Sequence, residues 1–329
     1  MSGARKILVT PPNFDAAAIG FLGERGCRAV FSDKAEGALS EADLAALLAG
    51  AEGWIIGPQA GVTRSLIAAA PSCRVFSRRG VGFERVDVDA ARELGRVATI
   101  ATGGNEDSVA DEAIGLMLAV GRRMREQQLA LLAGDWSIRV GTDLFRKTVG
   151  VVGLGRAGRA LVRRLRGFDA RVLAVTPRPD IEFCREHGVR VVDLPTLLRD
   201  CDYVSLHAPM TPATRHLVGA GELATMKPSA ILINTGRGGL VDDAALLAAL
   251  RAGTIAGAGL DVYEGENDPA LKQTALDLLA LPNVVGTPHS AASTREGLAR
   301  TNLIAARNVV AVLDGDDLPR DCVVADGRV

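Results

Sequence analysis

Only four side chains in this 329-residue chain ordinarily trade a proton near neutral pH: His187, His207, His216 and His289. Acid–base chemistry therefore has few candidates. The stretch Thr148-Val-Gly-Val-Val-Gly153-Leu-Gly155-Arg156-Ala157-Gly158 offers a different chemistry, because it sets Gly-x-Gly-x-x-Gly between a strand-like apolar run and a helix-like one. In that setting Gly153 permits a tight turn, Gly155 lets the backbone approach a pyrophosphate, and Gly158 lets helix and strand pack closely. The helix N-terminus then presents N–H groups to anionic oxygens, and Arg156 adds a charge-assisted contact. This is the pattern of a dinucleotide site. The next strand should end near residue 176, where an NAD site ordinarily carries Asp or Glu on the ribose, but Thr176-Pro-Arg178 stands there instead. Without a carboxylate, Arg178 can meet a 2′-phosphate; equally, Thr176 can bond the ribose of NAD. NAD is the expected cofactor, with NADP left open. The five cysteines, at 27, 73, 184, 201 and 322, are odd in number and never spaced Cys-x-x-Cys. That spacing points away from a disulfide framework or a metal cluster and toward small buried apolar groups, so no metal is expected.

Elements of ordinary globular type must position these groups. The chain is 48% hydrophobic and 23% charged, and at roughly 150 residues per domain its length predicts two domains. Its 38 basic against 39 acidic residues leave a net charge of -1, which gives no global attraction to nucleic acid or an anionic membrane. No apolar run approaches the ~18 residues of a membrane span, and the apolar triplet at 7–9 is too short for a secretory signal, so a cytoplasmic protein is expected. Apolar runs at 6–10, 53–57 and 73–77 alternate with helix-like stretches at 40–50 and 63–70. A long amphipathic helix, capped by Asn105, is predicted to run to about residue 125 as a strut between domains. A second alternating series follows, with strands at 148–152, 171–176, 189–192, 203–206, 230–234, 256–260 and 284–287 and helices to about 166 and over 181–186. A last long helix covers about 294–313 and packs back on the first domain. Strand, helix, strand in this order implies α/β architecture, with two doubly wound parallel-sheet domains, one flavodoxin-like and one Rossmann, and a cleft between them.

Several further motifs stand in order along the second series. They are Cys201-Asp-Tyr-Val-Ser-Leu-His207-Ala-Pro209, then Met226-Lys-Pro-Ser-Ala-Ile-Leu-Ile-Asn234-Thr-Gly-Arg237-Gly-Gly-Leu-Val-Asp242, Gly259-Leu-Asp261-Val-Tyr-Glu-Gly-Glu266, and Thr287-Pro-His289-Ser-Ala. With the glycine loop, they resemble the D-isomer-specific 2-hydroxyacid dehydrogenases, in the branch similar to phosphoglycerate dehydrogenase, over nearly the whole chain. The resemblance implies a catalytic set at Arg237, Glu266 and His289. The residue types suit hydride transfer to a 2-oxo acid. A planar guanidinium can hold the carboxylate and polarise the ketone, and an imidazolium can protonate the developing alkoxide while a carboxylate orients it. For His187, His207 and His216, helix-surface or loop roles are favoured.

The resemblance also implies Arg156 and Ala157 at the pyrophosphate, Ala208 and Pro209 beside the adenine, Thr235 and Gly236 near the nicotinamide, and Asp261 on its carboxamide. Thr214 and Ala291 join the implied cofactor set. In Ser77-Arg78-Arg79-Gly80-Val81-Gly82, Val81 faces the nicotinamide, and Val81 and Gly82 offer N–H groups to the substrate carboxylate. Asn105 falls in the family's hinge stretch near the active site. Domains of 1–103 plus 290–329 for substrate and 104–289 for dinucleotide follow, as does a homodimer joined near the 105–125 helix and the arm at Gly134-Asp-Trp136.

Two departures bear on substrate. The family's proline after the glutamate is replaced by Asn267-Asp268-Pro269, which leaves Glu264 or Asp268 as alternative partners for His289, although the 23 positions between Glu266 and His289 favour Glu266. At Ile56-Gly57-Pro58 an arginine found in phosphoglycerate dehydrogenases is missing, which weakens a 3-phosphoglycerate reading, while Arg78 and Arg79 either receive a second anionic group or form a surface pair. Two rivals stay open: a dinucleotide-sensing regulator of the corepressor kind, and a dehydrogenase of another small anion.

Overall fold

A computed structural model describes residues 3–266 and 268–328. Asn267, part of the departure noted above, lies outside the described residues. The chain divides into two compact units, Met1–Asn105 with Thr294–Val329, and Glu106–Ser293. Residues 290–293, expected in the first domain, fall in the second unit.

The strands described are, in chain order, β1 (Arg5–Val9), β2 (Cys27–Phe31), β3 (Gly53–Ile56), β4 (Val75–Arg78), β5 (Val97–Ile100), β6 (Thr148–Val152), β7 (Arg171–Val175), β8 (Arg190–Val191), β9 (Tyr203–Leu206), β10 (Ile231–Asn234), β11 (Gly257–Leu260), β12 (Val284–Gly286) and β13 (Val323–Asp326). The first unit's sheet runs β13-β5-β4-β3-β1-β2 and the second's β12-β11-β10-β9-β6-β7-β8. Both are α/β sheets in which strand order reverses beside a central strand, at β1/β3 and at β6/β9.

Alternation along the strands explains the layers of the first unit. Ile7, Val9, Ile55, Val75 and Val97 face Ala305, Ala306, Val309 and Val310 of the helix Arg295–Asp314. Leu8, Trp54, Ile56, Phe76 and Ala98 face Leu44, Leu48, Leu66 and Ile67 on the other side. Strands covered on both faces read as continuous apolar runs, which is why β3 showed in the sequence. In the second unit Val149 and Val151 pack on Ala113, Met117 and Val120 of the helix Glu106–Gly121, while Val152, Val204, Leu232 and Leu260 belong to the opposite core.

Two expectations need correction. The first sheet is not wholly parallel, because β13 pairs antiparallel with β5 through Val323↔Thr99 and Asp326↔Val97. The helix after Asn105 ends at Gly121, and a second helix, Met124–Leu132, begins after Arg123, whose φ of 52° is left-handed and breaks the helical path. Gly121 also sits too close to Tyr203 Oη to carry a Cβ, and its carbonyl accepts Thr142 N at 2.7 Å. All five cysteines are buried, free thiols.

Candidate active site

Every implied cofactor or catalytic position of the second unit follows the C-terminal end of a strand, and these strands are neighbours: the glycine loop after β6, Thr176 after β7, Ala208 after β9, Thr235 after β10, Asp261 after β11 and His289 after β12. This is the edge where doubly wound sheets take ligands. Gly153 has φ +97°, its N–H donates to Val175 O at 2.9 Å, and a Cβ there would lie 2.7 Å from Ala208 N. Gly158 must lack a Cβ because the atom would run into Gly153 O. Gly155 differs, since a Cβ on it would meet nothing within 4 Å. It caps the helix Arg156–Leu165 without a side-chain bond, so the first-turn N–H groups receive no acceptor from a capping side chain. Glu106, Gly155, Arg156, Arg159 and Arg163 line a groove of about 430 Å³ along one flank of that helix.

These features fit a dinucleotide. The glycines leave room where a pyrophosphate would approach, and the buried Thr235 hydroxyl, behind Gly236, has no partner within the described protein. At the end of β7, Thr176 is half-buried and Arg178 exposed. The nearest acid beyond them, Asp180, is committed to Phe183 N at 3.1 Å and Arg159 Nη1 at 2.9 Å. Thr214 spends its hydroxyl on Pro209 O at 2.7 Å and so stiffens the loop after Ala208 and Pro209. His207 bonds Ser205 Oγ at 2.8 Å through Nε2, and burial pushes its pKa down to about 4, so the ring is neutral.

The catalytic candidates of this unit are held by a network of short bonds. Asp261 is 1% exposed; its carboxylate accepts Thr287 Oγ1 at 2.6 Å, Ser290 N at 2.7 Å and Ala291 N at 3.0 Å. Its carbonyl accepts His289 N at 2.8 Å. That grip sustains His289 at φ 54°, a backbone state that a non-glycine residue keeps only when its surroundings enforce it. His289 Nδ1 lies 2.7 Å from Glu266 Oε2, while Glu266 Oε1 accepts Tyr263 N at 2.7 Å. The bond to Glu266 is the largest effect raising the His289 pKa, opposed by burial and more weakly by Arg237.

The two alternative acids have other partners. Glu264 takes His216 Nε2 at 2.7 Å, and Asp268 caps a short turn through Ala270 N at 3.0 Å. Arg237 is set by its own turn: Asn234, 1% exposed, accepts Gly236 N at 3.1 Å and donates to Arg237 O at 2.9 Å, and Arg237 Nη1 donates to Gly236 O at 2.8 Å.

Sequence reading missed this bracing role of Asn234 and a second brace beneath Glu266. Asp243 Oδ2 accepts Glu264 N at 2.9 Å while Glu264 Oε2 accepts Asp243 N at 3.3 Å, which anchors the Glu264–Glu266 turn. Burial pushes the Asp243 pKa up to about 6. The adjacent pair of acids at 242 and 243 was the available signal, because a second carboxylate behind a helix cap has no local use.

In the first unit, Val81 and Gly82 follow β4 in a half-buried loop opened by Gly80 at φ +148°, and Asn105 directly precedes the helix Glu106–Gly121. Arg78 braces that loop, with Nε on Gly82 O at 2.8 Å and Nη1 on Gly57 O. Arg79 reaches elsewhere, to Pro12 O at 2.5 Å.

Comparison with known proteins identifies the family. Residues 114–291 match the family model described as D-isomer specific 2-hydroxyacid dehydrogenase, NAD binding domain. The D-3-phosphoglycerate dehydrogenase of Methanocaldococcus jannaschii is 37% identical over 317 residues, covering 94% of this chain and 58% of that protein. The glyoxylate reductase of Thermococcus litoralis is 39% identical over 272 residues, covering 78% of this chain and 79% of that protein. D-lactate dehydrogenase from Escherichia coli superposes with a TM-score of 0.83 at 31% identity over 96% of this chain and 98% of that one. The chain thus spans little more than half the length of the first of these relatives and most of the other two. It belongs to the D-isomer specific 2-hydroxyacid dehydrogenase family, and residues 114–291 form its NAD-binding domain.

Proposed function

We propose that the protein interconverts a small 2-oxo acid and its D-2-hydroxy acid with NAD. The observation that carries this reading is the 2.7 Å His289–Glu266 bond, set beside Arg237 in the unit that holds the glycine loop. Bound NADH supplies the hydride. Arg237 offers a planar fork of donors to the acid's carboxylate and ketone oxygen, which favours charge developing on that oxygen. His289, bonded to Glu266 through Nδ1, keeps Nε2 for the proton that the new hydroxyl needs, and Glu266 favours the charged ring that gives it. Asp261 keeps one carboxylate lone pair for the nicotinamide carboxamide beyond the three bonds it already accepts.

The test is oxidation of NADH and NADPH against glyoxylate, hydroxypyruvate, pyruvate, 2-oxoglutarate and phosphohydroxypyruvate. Turnover that disappears in both Arg237→Ala and His289→Ala supports the assignment, and wild-type turnover in either variant removes that residue's role. Tight cofactor binding without turnover of any acid would favour a dinucleotide sensor.

A further inference from the structure

His216 belongs to no part of the catalytic set, yet it holds two of the turns that carry that set, and the whole arrangement lies in the second unit. It stands in the loop after β9, just before Val218, which forms a parallel bridge with Val241. Val218 N donates to Leu240 O at 3.0 Å and Asp242 N to Val218 O at 3.1 Å, which seams this segment to the chain leaving the Arg237 turn. The His216 N–H itself donates to Gly239 O at 2.7 Å, two residues past Arg237. Its φ of 49° is left-handed, as that of His289 is, and a histidine keeps such a state only where neighbours enforce it.

The ring reaches the other turn. His216 Nε2 lies 2.7 Å from Glu264 Oε1, and because an ionised carboxylate only accepts, Nε2 donates. Glu264 opens the turn Glu264–Glu266, whose last residue bonds His289. The two turns also touch through their backbones, since a Cβ on Gly238 would run into Tyr263 O. Other charged groups surround the contact. His216 Nδ1 is 3.9 Å from Asp242 Oδ2, Arg215 Nη2 reaches Glu264 Oε1 at 3.4 Å, and Asp243 and Glu264 exchange backbone N–H bonds. Glu264 and Asp243 are largely buried, so their charges depend on donors at close range. Of the two basic side chains on Glu264, His216 makes the shorter bond, and Arg215 is 60% exposed and well hydrated.

We propose that His216 is a positioning residue: with its backbone on Gly239 and its ring on Glu264, it ties the Arg237 turn to the Glu266 turn and keeps Glu266 on His289. It touches no reacting atom and acts through those residues. The catalytic consequence rests on the dehydrogenase reading, whereas the geometric one does not. With the ring gone, Glu264 loosens and the Glu266 carboxylate drifts from His289 Nδ1, losing the bond that most favours the charged ring of His289. The other charged groups facing His289, Asp261 in favour of that charge and Arg237 against it, act more weakly.

The test uses the whole chain and two variants. H216N supplies a residue type that accepts the left-handed backbone, but its amide ends near where the ring's Nδ1 lies and falls short of Glu264. H216Q places an amide N–H near where Nε2 lies and is expected to restore the bond. In H216N, kcat with NADH should fall about 10- to 100-fold, the cost of misplaced catalytic groups, and the high-pH fall of kcat/KM for reduction should move to lower pH. Histidine-ring NMR titration runs alongside; the chain has four histidines, and the signals missing from His289→Asn are those of His289. The His289 midpoint should drop toward the ordinary imidazole value of about 6.5 in H216N and return in H216Q. Thermal unfolding certifies that each variant folds, and H216G replaces H216N if it does not. An unmoved His289 midpoint in H216N overturns the proposal whatever happens to kcat or to the melting temperature, and so does a change that H216Q fails to reverse. Silence of the wild type with every acid would instead sink the dehydrogenase reading, and the titration, which needs no turnover, would still decide for or against His216.

Discussion

His289 holds Glu266 through Nδ1, so proton traffic is confined to Nε2 and its pH dependence follows from the pair. In the proposed mechanism reduction needs the imidazolium, whose pKa the Glu266 bond raises, so kcat/KM for reduction should fall as pH climbs through that raised value. Glu266→Gln removes the charge that favours the imidazolium and is expected to shift the fall to lower pH; pH profiles of both proteins check it. His289→Asn should lower kcat by about 10²- to 10⁴-fold, the usual contribution of a positioned acid–base group, as steady-state turnover would show. Asp261→Asn puts an amide among three donors that now meet a carboxylate, and a loss of about 1–3 kcal/mol in denaturant stability is expected with the drop in turnover. The resemblance carried by the motifs pointed to Arg237, Glu266 and His289, and of the three acids near that turn it is Glu266 that bonds His289. The grip of Asp261 on the His289 loop could not be read, because it depends on the ends of β11 and β12 converging, whereas the Asn234 bonds to the Arg237 turn are local and depend on the fold of that turn alone.

Within the glycine loop, Gly153 and Gly158 are required by the fold and Gly155 is not. Gly158→Ala drives a methyl into Gly153 O and should cost about 1–3 kcal/mol of stability, measured by thermal unfolding. Gly155→Ala meets nothing within 4 Å, so its melting temperature should hold while NADH affinity, read by fluorescence titration, drops. If both variants lose stability alike, that division of labour is wrong. Strands covered on both faces, such as β3 and β10, stood out in the sequence as largely apolar runs, and the strand–glycine–helix junction marked itself. β2, an edge strand with one buried residue, β5, whose Val97-Ala98-Thr99-Ile100 run holds a small and a polar residue, and β13, a short antiparallel addition, gave no comparable signal. The helix break at Arg123 was also invisible, because a left-handed arginine carries no compositional mark.

At the scale of the whole molecule, the arm between the helix Met124–Leu132 and β6 exposes Leu132 at 78%, Trp136 at 83%, Ile138 at 89% and Val140 at 83%. We propose that this apolar segment is the surface on which a homodimer is built. A homodimer built on this arm is expected to show about twice 34.3 kDa by light scattering, and Trp136→Asp to shift the mass toward one chain. The order of elements along the chain revealed two alternating series, but not that the first unit is finished by a strand from the far end of the sequence.

That returning segment has a bearing on biosynthesis. β1, β3, β4 and β5 are complete by residue 100, yet the side chains that seal one face of their sheet, Ala305, Ala306 and Val309, and the strand that closes its edge, β13, leave the ribosome only after the entire second unit. The contiguous unit can therefore reach its native state first, while the segment translated earlier waits with one apolar face open and an edge strand unpaired. The order in which the two units begin along the chain and the order in which their cores can be completed therefore run opposite ways.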